Sequence, residues 1–315
     1  MRMKQFVIVP FYGLKRAAGF IQDIRILRGM TLIRNAKLWL SLTDTHFREA
    51  IGRMECQQLE ESEAAIWCAI DPDKTLTNPR RYLFEQLGVV RLFLNTLWAV
   101  KDCSVNAKLG FLQWHRDSMT GYESNGLGCL YDKACGEISD TVFSETEIRR
   151  ASSLLLAFVT IRRYKRDQRT AVLKGNSRIT LSFHHLEAAR RALDPALRIM
   201  HGCSALESLL STSARELSHQ LSERVALLVG STPDHRRQIF SEMKAIYDIR
   251  STVTHGTGLK DGRIKVLPEI SVKFDSLLRT VFCSVLENAE LQRLFSTGNE
   301  KEIDERFVSL LFLGR

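Results

Sequence analysis

The chain has 315 residues, 44% hydrophobic and 26% charged, a balance that excludes a disordered polypeptide and allows two domains with their own cores. Its formal net charge of +9 makes polyanions candidate partners without identifying one. The seven cysteines (56, 68, 103, 129, 135, 203 and 283) never fall as Cys-x-x-Cys, which argues against a zinc site and for free thiols in a reducing cytoplasm.

In chain order, the apolar start is broken by Pro10 and followed by Lys15 and Arg16, so it does not read as an export signal. No stretch approaches the roughly 18 consecutive apolar residues of a membrane span, and a soluble intracellular protein with no membrane partner is expected. Residues 5–9 and 31–42 carry β-branched and aromatic side chains and read partly as strands. Residues 46–67 and 82–101, with apolar positions three and four apart, read as helices. Glycines at 121, 126, 128 and 136 mark 118–136 as a loop or turn region; it holds neither form of glycine-rich phosphate loop.

Residues 144–178 carry nine Lys or Arg against three acids, a surplus of six among the chain's nine net charges. Within them Arg162, Arg163, Lys165 and Arg166 surround Tyr164, a pattern compatible with an RNA-binding surface and equally with a solvated helix face beside the apolar run 154–161.

From about residue 180 the periodicity is helical. Asp194-Pro195 is a start signal for a helix to about Leu210, with Leu197, Met200, Cys203, Leu206 and Leu210 inward. A second helix spans about 214–229 and stops at Gly230. A third starts near Asp234 and buries Ile239, Met243, Ile246, Tyr247 and Val253, and a last one is expected over about 271–295. Four antiparallel helices with short connections make a bundle. The fold class is therefore mainly α, a C-terminal bundle over 176–315 preceded by a mixed α+β domain over 1–175 that serves recognition or control.

Two charges interrupt the apolar stripes. Arg250 sits on the inward face of the third helix and Glu207 on that of the first, and an unpaired buried charge costs several kcal/mol. The two are expected to meet, Glu207 holding Arg250. His255 follows five residues later; at roughly 100° per residue it points about 140° away from Arg250. They share a site only if the helix ends or bends near Thr254, or if a second subunit completes it.

Arg250-Ser251-Thr252-Val253-Thr254-His255 resembles the Arg-x4–6-His motif of the HEPN superfamily, whose residue after Arg is typically small and polar. Ser204-Ala205-Leu206-Glu207-Ser208-Leu209-Leu210 is similar to the acidic helix of the ApeA-like branch, residues 217–228 to its second helix, and Ile246-Tyr247-Asp248-Ile249 to its lead into the motif. The resemblance covers about residues 180–295.

It implies a HEPN-type bundle and a metal-independent endoribonuclease, toxin-like or antiviral, with Arg250 and His255 as catalytic pair, Ser251 as helper and Glu207 as support. RNA is the implied partner, with a homodimer through the bundle and an inhibitory or triggering protein; no metal or cofactor is expected. RNA supplies its own 2′-hydroxyl nucleophile, a histidine can move its proton near neutral pH, and an arginine can hold phosphate oxygens. The alternative is a non-catalytic dimerisation, nucleotide-binding or regulatory module. In that case Arg250 is only a structural ion pair and His255 a helix cap at the negative dipole end. His184-His185 is a poor metal pair, because adjacent residues point to different sides of a helix. His219 reads as a surface or core residue.

Overall fold

The computed structural model describes residues 4–18, 22–33, 42–117, 119–128, 130–161 and 177–312. The chain is mainly helical with a mixed α+β N-terminal part. It forms two compact units that no single cut separates. One comprises Met1–Tyr131 with Ile138–Leu155, the other Asp132–Glu137 with Leu156–Arg315.

The first unit is built on an antiparallel six-stranded sheet of order β3-β4-β5-β1-β6-β7. Its strands are β1 (Gln5–Phe11), β3 (Ile24–Leu27), β4 (Met30–Ile33), β5 (Ala64–Ile70), β6 (Leu109–Arg116) and β7 (Met119–Gly126). A short parallel pair joins β2 (Leu14–Arg16) to β8 (Thr141–Phe143). Every residue of β1 is buried, because both faces of this inner strand are covered. Phe6 and Ile8 face Phe47 and Leu59 of α1 (Thr45–Ile51) and α2 (Arg53–Glu61), while Phe11 packs on Phe93 of α3 (Pro79–Val100) at 6.1 Å. Among the described helices α3 alone is long and apolar enough to cross a membrane, and most of that apolar stretch is buried in this packing.

Two expectations for this half are corrected. Residues 46–67 are not one helix: Gly52, at φ 94°, separates α1 from α2, and from Ala64 the chain is the strand β5. Ala64-Ala65-Ile66-Trp67-Cys68-Ala69-Ile70 is apolar on both faces because the strand is inside the sheet, and that run imitates a buried helix. The glycine-rich stretch is not a loop over 119–126 but β7, hairpinned to β6. Gly121 lies opposite Trp114, and a Cβ there would come within 2.2 Å of the indole, so the glycine makes room for the ring.

Besides Asp132–Glu137, the second unit takes the end of α4 (Glu145–Ile161) and contains α5 (Arg178–Arg191), α6 (Pro195–Leu210), α7 (Leu217–Val229), α8 (Pro233–Thr254), α9 (Asp261–Glu287), α10 (Ala289–Thr297) and α11 (Glu300–Phe312). The expected four helices are therefore too few. The last begins ten residues before the expected 271, since α9 starts at Asp261 and runs through Pro268, with Leu267 buried beside it. Starts follow the local chemistry: the Asp194 carboxylate accepts from the Ala196 and Leu197 amides, and the Thr232 hydroxyl oxygen from His235 N–H, each just before a proline at the first helical position.

α6 is the central helix, touching α5, α7, α8 and α9. Gly202 allows this closeness: a Cβ there would sit 2.4 Å from the ring of Phe274 on α9. Leu197, expected inward, is instead exposed, and Ile199, Cys203, Ala205, Leu206, Leu209 and Leu210 form the buried side. The end of α6 is fixed by two arginines. Arg224 donates to the Leu210 carbonyl and pairs with Asp304, and Arg178 donates to the Ser211 carbonyl at 2.6 Å. Glu207 thus sits on a helix anchored within its unit at both ends, for Arg198 ties the start of α6 to the Ala192 and Lys133 carbonyls.

Candidate active site

Glu207 lies three residues before the end of α6, and Arg250 in the last turns of α8, which packs against it. Arg250 Nη2 donates to Glu207 Oε2 at 3.1 Å, with the two side chains 20% and 17% exposed. Arg250 Nε and Glu207 Oε1 are buried with no hydrogen bond of regular geometry among the described residues. The guanidinium also lies 5.3 Å from the ring centre of Tyr247, one helical turn earlier. Burial first, then the charge and hydrogen bonding of Glu207, pushes the Tyr247 hydroxyl up to about 12. It is therefore a neutral hydroxyl at ordinary pH.

His255 occupies the C-cap of α8 (φ −87°, ψ 0°). Its amide donates to the Ser251 carbonyl at 3.0 Å, Gly256 N–H to Val253 at 3.2 Å, and Thr257 N–H to Thr252 at 3.3 Å. With Gly256 at φ 67° this is the Schellman closure, which a residue with a Cβ would strain. The His255 side chain is exposed. It lines a shallow open depression with Asp248, Ser251, Thr252, Thr257 and Arg263.

The structure brings Glu207 to Arg250, and Ser251 to His255, but these are two places. The helix remains helical to Thr254 and His255 keeps a right-handed backbone, so Arg250 and His255 diverge by roughly 140° on one chain. Arg250 is not among the residues that line the depression.

Beside the ion pair are groups that the sequence does not tie to it. His185 of α5 and His201 of α6 are half-buried, and burial lowers the pKa of both. The charge of Glu207 partly offsets this at His185, and the charge of His185 adds to it at His201. Cys203 is fully buried near Glu207 and its thiol is pushed far up. Nothing in the spacing of 185 and 201 links them, because the link is the antiparallel packing of α5 on α6. Tyr247, expected to be buried, could also have been tied to Arg250, since it lies three residues before it on the same helix.

His219 is exposed, 3.6 Å from Glu223, with its ring against Phe240. Arg162, Arg163, Lys165 and Arg166 lie outside the described residues. Among the described residues no three His, Cys, Asp or Glu side chains are grouped to hold a metal ion. No family model, curated protein or solved structure matches the chain.

Proposed function

We propose that the chain is a metal-independent endoribonuclease of HEPN type, acting in the cytoplasm as a toxin-like or antiviral effector. The observation that carries this reading is His255, held by a closed helix end at an exposed polar depression, five residues from an arginine fixed by Glu207. A histidine so placed has its imidazole open to solvent and substrate.

His255 removes the proton of the RNA 2′-hydroxyl, the 2′-oxygen attacks phosphorus, and the 5′-oxygen leaves with a proton returned to it. The products are a 2′,3′-cyclic phosphate and a 5′-hydroxyl. Arg250 carries charge toward the phosphate oxygens as the phosphorane forms, and Ser251 adds a hydroxyl. Because Arg250 and His255 diverge within one chain, the working site is dimeric. A twofold axis brings two motifs together, so that each His255 works beside the Arg250 of the other chain. Arg162, Arg163, Lys165 and Arg166 hold the RNA backbone, the N-terminal unit supplies recognition or control, and an inhibitory or triggering protein partner sets when the enzyme acts.

The second reading is a non-catalytic dimerisation or nucleotide-binding module, favoured by one observation: Arg250 is already engaged by Glu207. Controlled expression of wild type and His255→Ala separates the two. Growth arrest with fragmented RNA in the wild type alone supports the enzyme; arrest by both proteins, or intact RNA in both, supports the module.

A further inference from the structure

The depression at the end of α8 contains a cation that the Arg-x4–6-His motif does not include. Arg263 sits in the first turn of α9, its amide donating to the Lys260 carbonyl at 2.8 Å. Its guanidinium approaches the Asp248 carboxylate at 3.9 Å, and both side chains are open to water, 47% and 65% exposed. So long and exposed a pair is held weakly. Around it stand His255 and Ser251; the Thr252 hydroxyl donates to the Asp248 carbonyl at 2.8 Å and the Thr257 hydroxyl to the Thr252 carbonyl at 3.4 Å. Arg250, by contrast, is tied to Glu207 on another face of the helix.

We propose that this depression is a phosphodiester-binding site on each chain, with Arg263 as its cation. A tetrahedral phosphate can accept from a guanidinium, an imidazole and a hydroxyl at once, which the Asp248 carboxylate cannot match at 3.9 Å. Asp248 then acts as the competitor that an incoming phosphate displaces. The substrate class, single-stranded RNA, rests on the ribonuclease reading. Phosphate capture itself does not, since it requires no bond to break. Arg263 positions the phosphate next to His255 and supplies within one chain the anchor that Arg250 does not reach.

The test uses the full chain and a fluorescent single-stranded oligonucleotide with 2′-O-methyl groups, which cannot be cut by 2′-oxygen attack. Arg263→Gln should weaken binding about five- to tenfold, as expected for one lost charge-assisted contact. It should also flatten the slope of log affinity against log salt by about 0.7, the amount for one phosphate contact on a single strand. Arg263→Lys should keep that slope, and Asp248→Asn should tighten binding about two- to threefold. These residues are exposed, so unchanged circular dichroism is expected for all three variants. Wild-type affinity and slope in Arg263→Gln, or no binding by the wild type, overturns the site. Binding with these shifts, but no cleavage of ordinary RNA, leaves the phosphate site standing and removes the ribonuclease reading.

Discussion

Glu207 on α6 and Arg250 on α8 meet at 3.1 Å, mostly out of water, in the second unit of the chain. Removing one partner of such a pair leaves the other charge without compensation. Glu207→Ala should cost about 2–3 kcal/mol in urea unfolding, less than a fully buried pair because some water reaches both groups. Glu207→Gln, which retains an acceptor, should cost about 1 kcal/mol. Wild-type stability in both variants would show that the contact does not hold Arg250.

Stability should fall in mild acid. Burial lowers the pKa of His185 and His201 from the ordinary 6.5, so the unfolded chain takes up their protons first. Their contribution is complete above about pH 6.5 and is lost as pH falls toward the lowered folded values. Protonation would also place two positive rings close together between α5 and α6, with Glu207 the carboxylate that bears on His185. Urea midpoints from pH 8 to pH 5 should show this decline, and His185→Gln with His201→Gln should flatten it. An equally steep decline in the double variant would assign it to other groups.

The closure that presents His255 depends on Gly256. A Cβ there would meet nothing within 4 Å, but the φ of 67° disfavours any residue that carries one. Gly256→Ala should therefore lose about 1–2 kcal/mol from backbone strain alone. RNA cleavage should fall with it, because the helix end that aims His255 is loosened. Thermal melts and initial rates on the same preparation check both effects.

These relationships were legible to different degrees. The pairing of Glu207 with Arg250 could be read because each interrupts an apolar stripe, and a misplaced charge is a strong signal. The helix starts at Pro195 and Pro233 could be read from local capping. β7 could not, because Gly121 reads as a turn residue until Trp114 is seen across the hairpin. β5 was hidden for the opposite reason: covered on both faces, it lost the alternation that marks a strand. Arg263 could not be read, because it meets Asp248 and His255 only through the turn that closes α8.

A dimeric site has a consequence for mixtures. Arg250→Ala and His255→Ala should each be inactive alone. When unfolded together and refolded, mixed dimers retain one intact pairing of Arg250 from one chain with His255 from the other, and activity should return to about a quarter of wild type, from half the dimers with one site each. No recovery, with mixed dimers verified by two tags, would place each pair within a single chain.

The central claim is that His255 cuts RNA without a metal. The most direct measurement incubates purified wild type and His255→Ala with RNA in EDTA and identifies the new ends. The account predicts wild-type fragments ending in 2′,3′-cyclic phosphate and 5′-hydroxyl, none from the variant, and no cleavage of DNA of the same sequence. Equal cleavage by both proteins, or 3′-hydroxyl and 5′-phosphate ends, would contradict it.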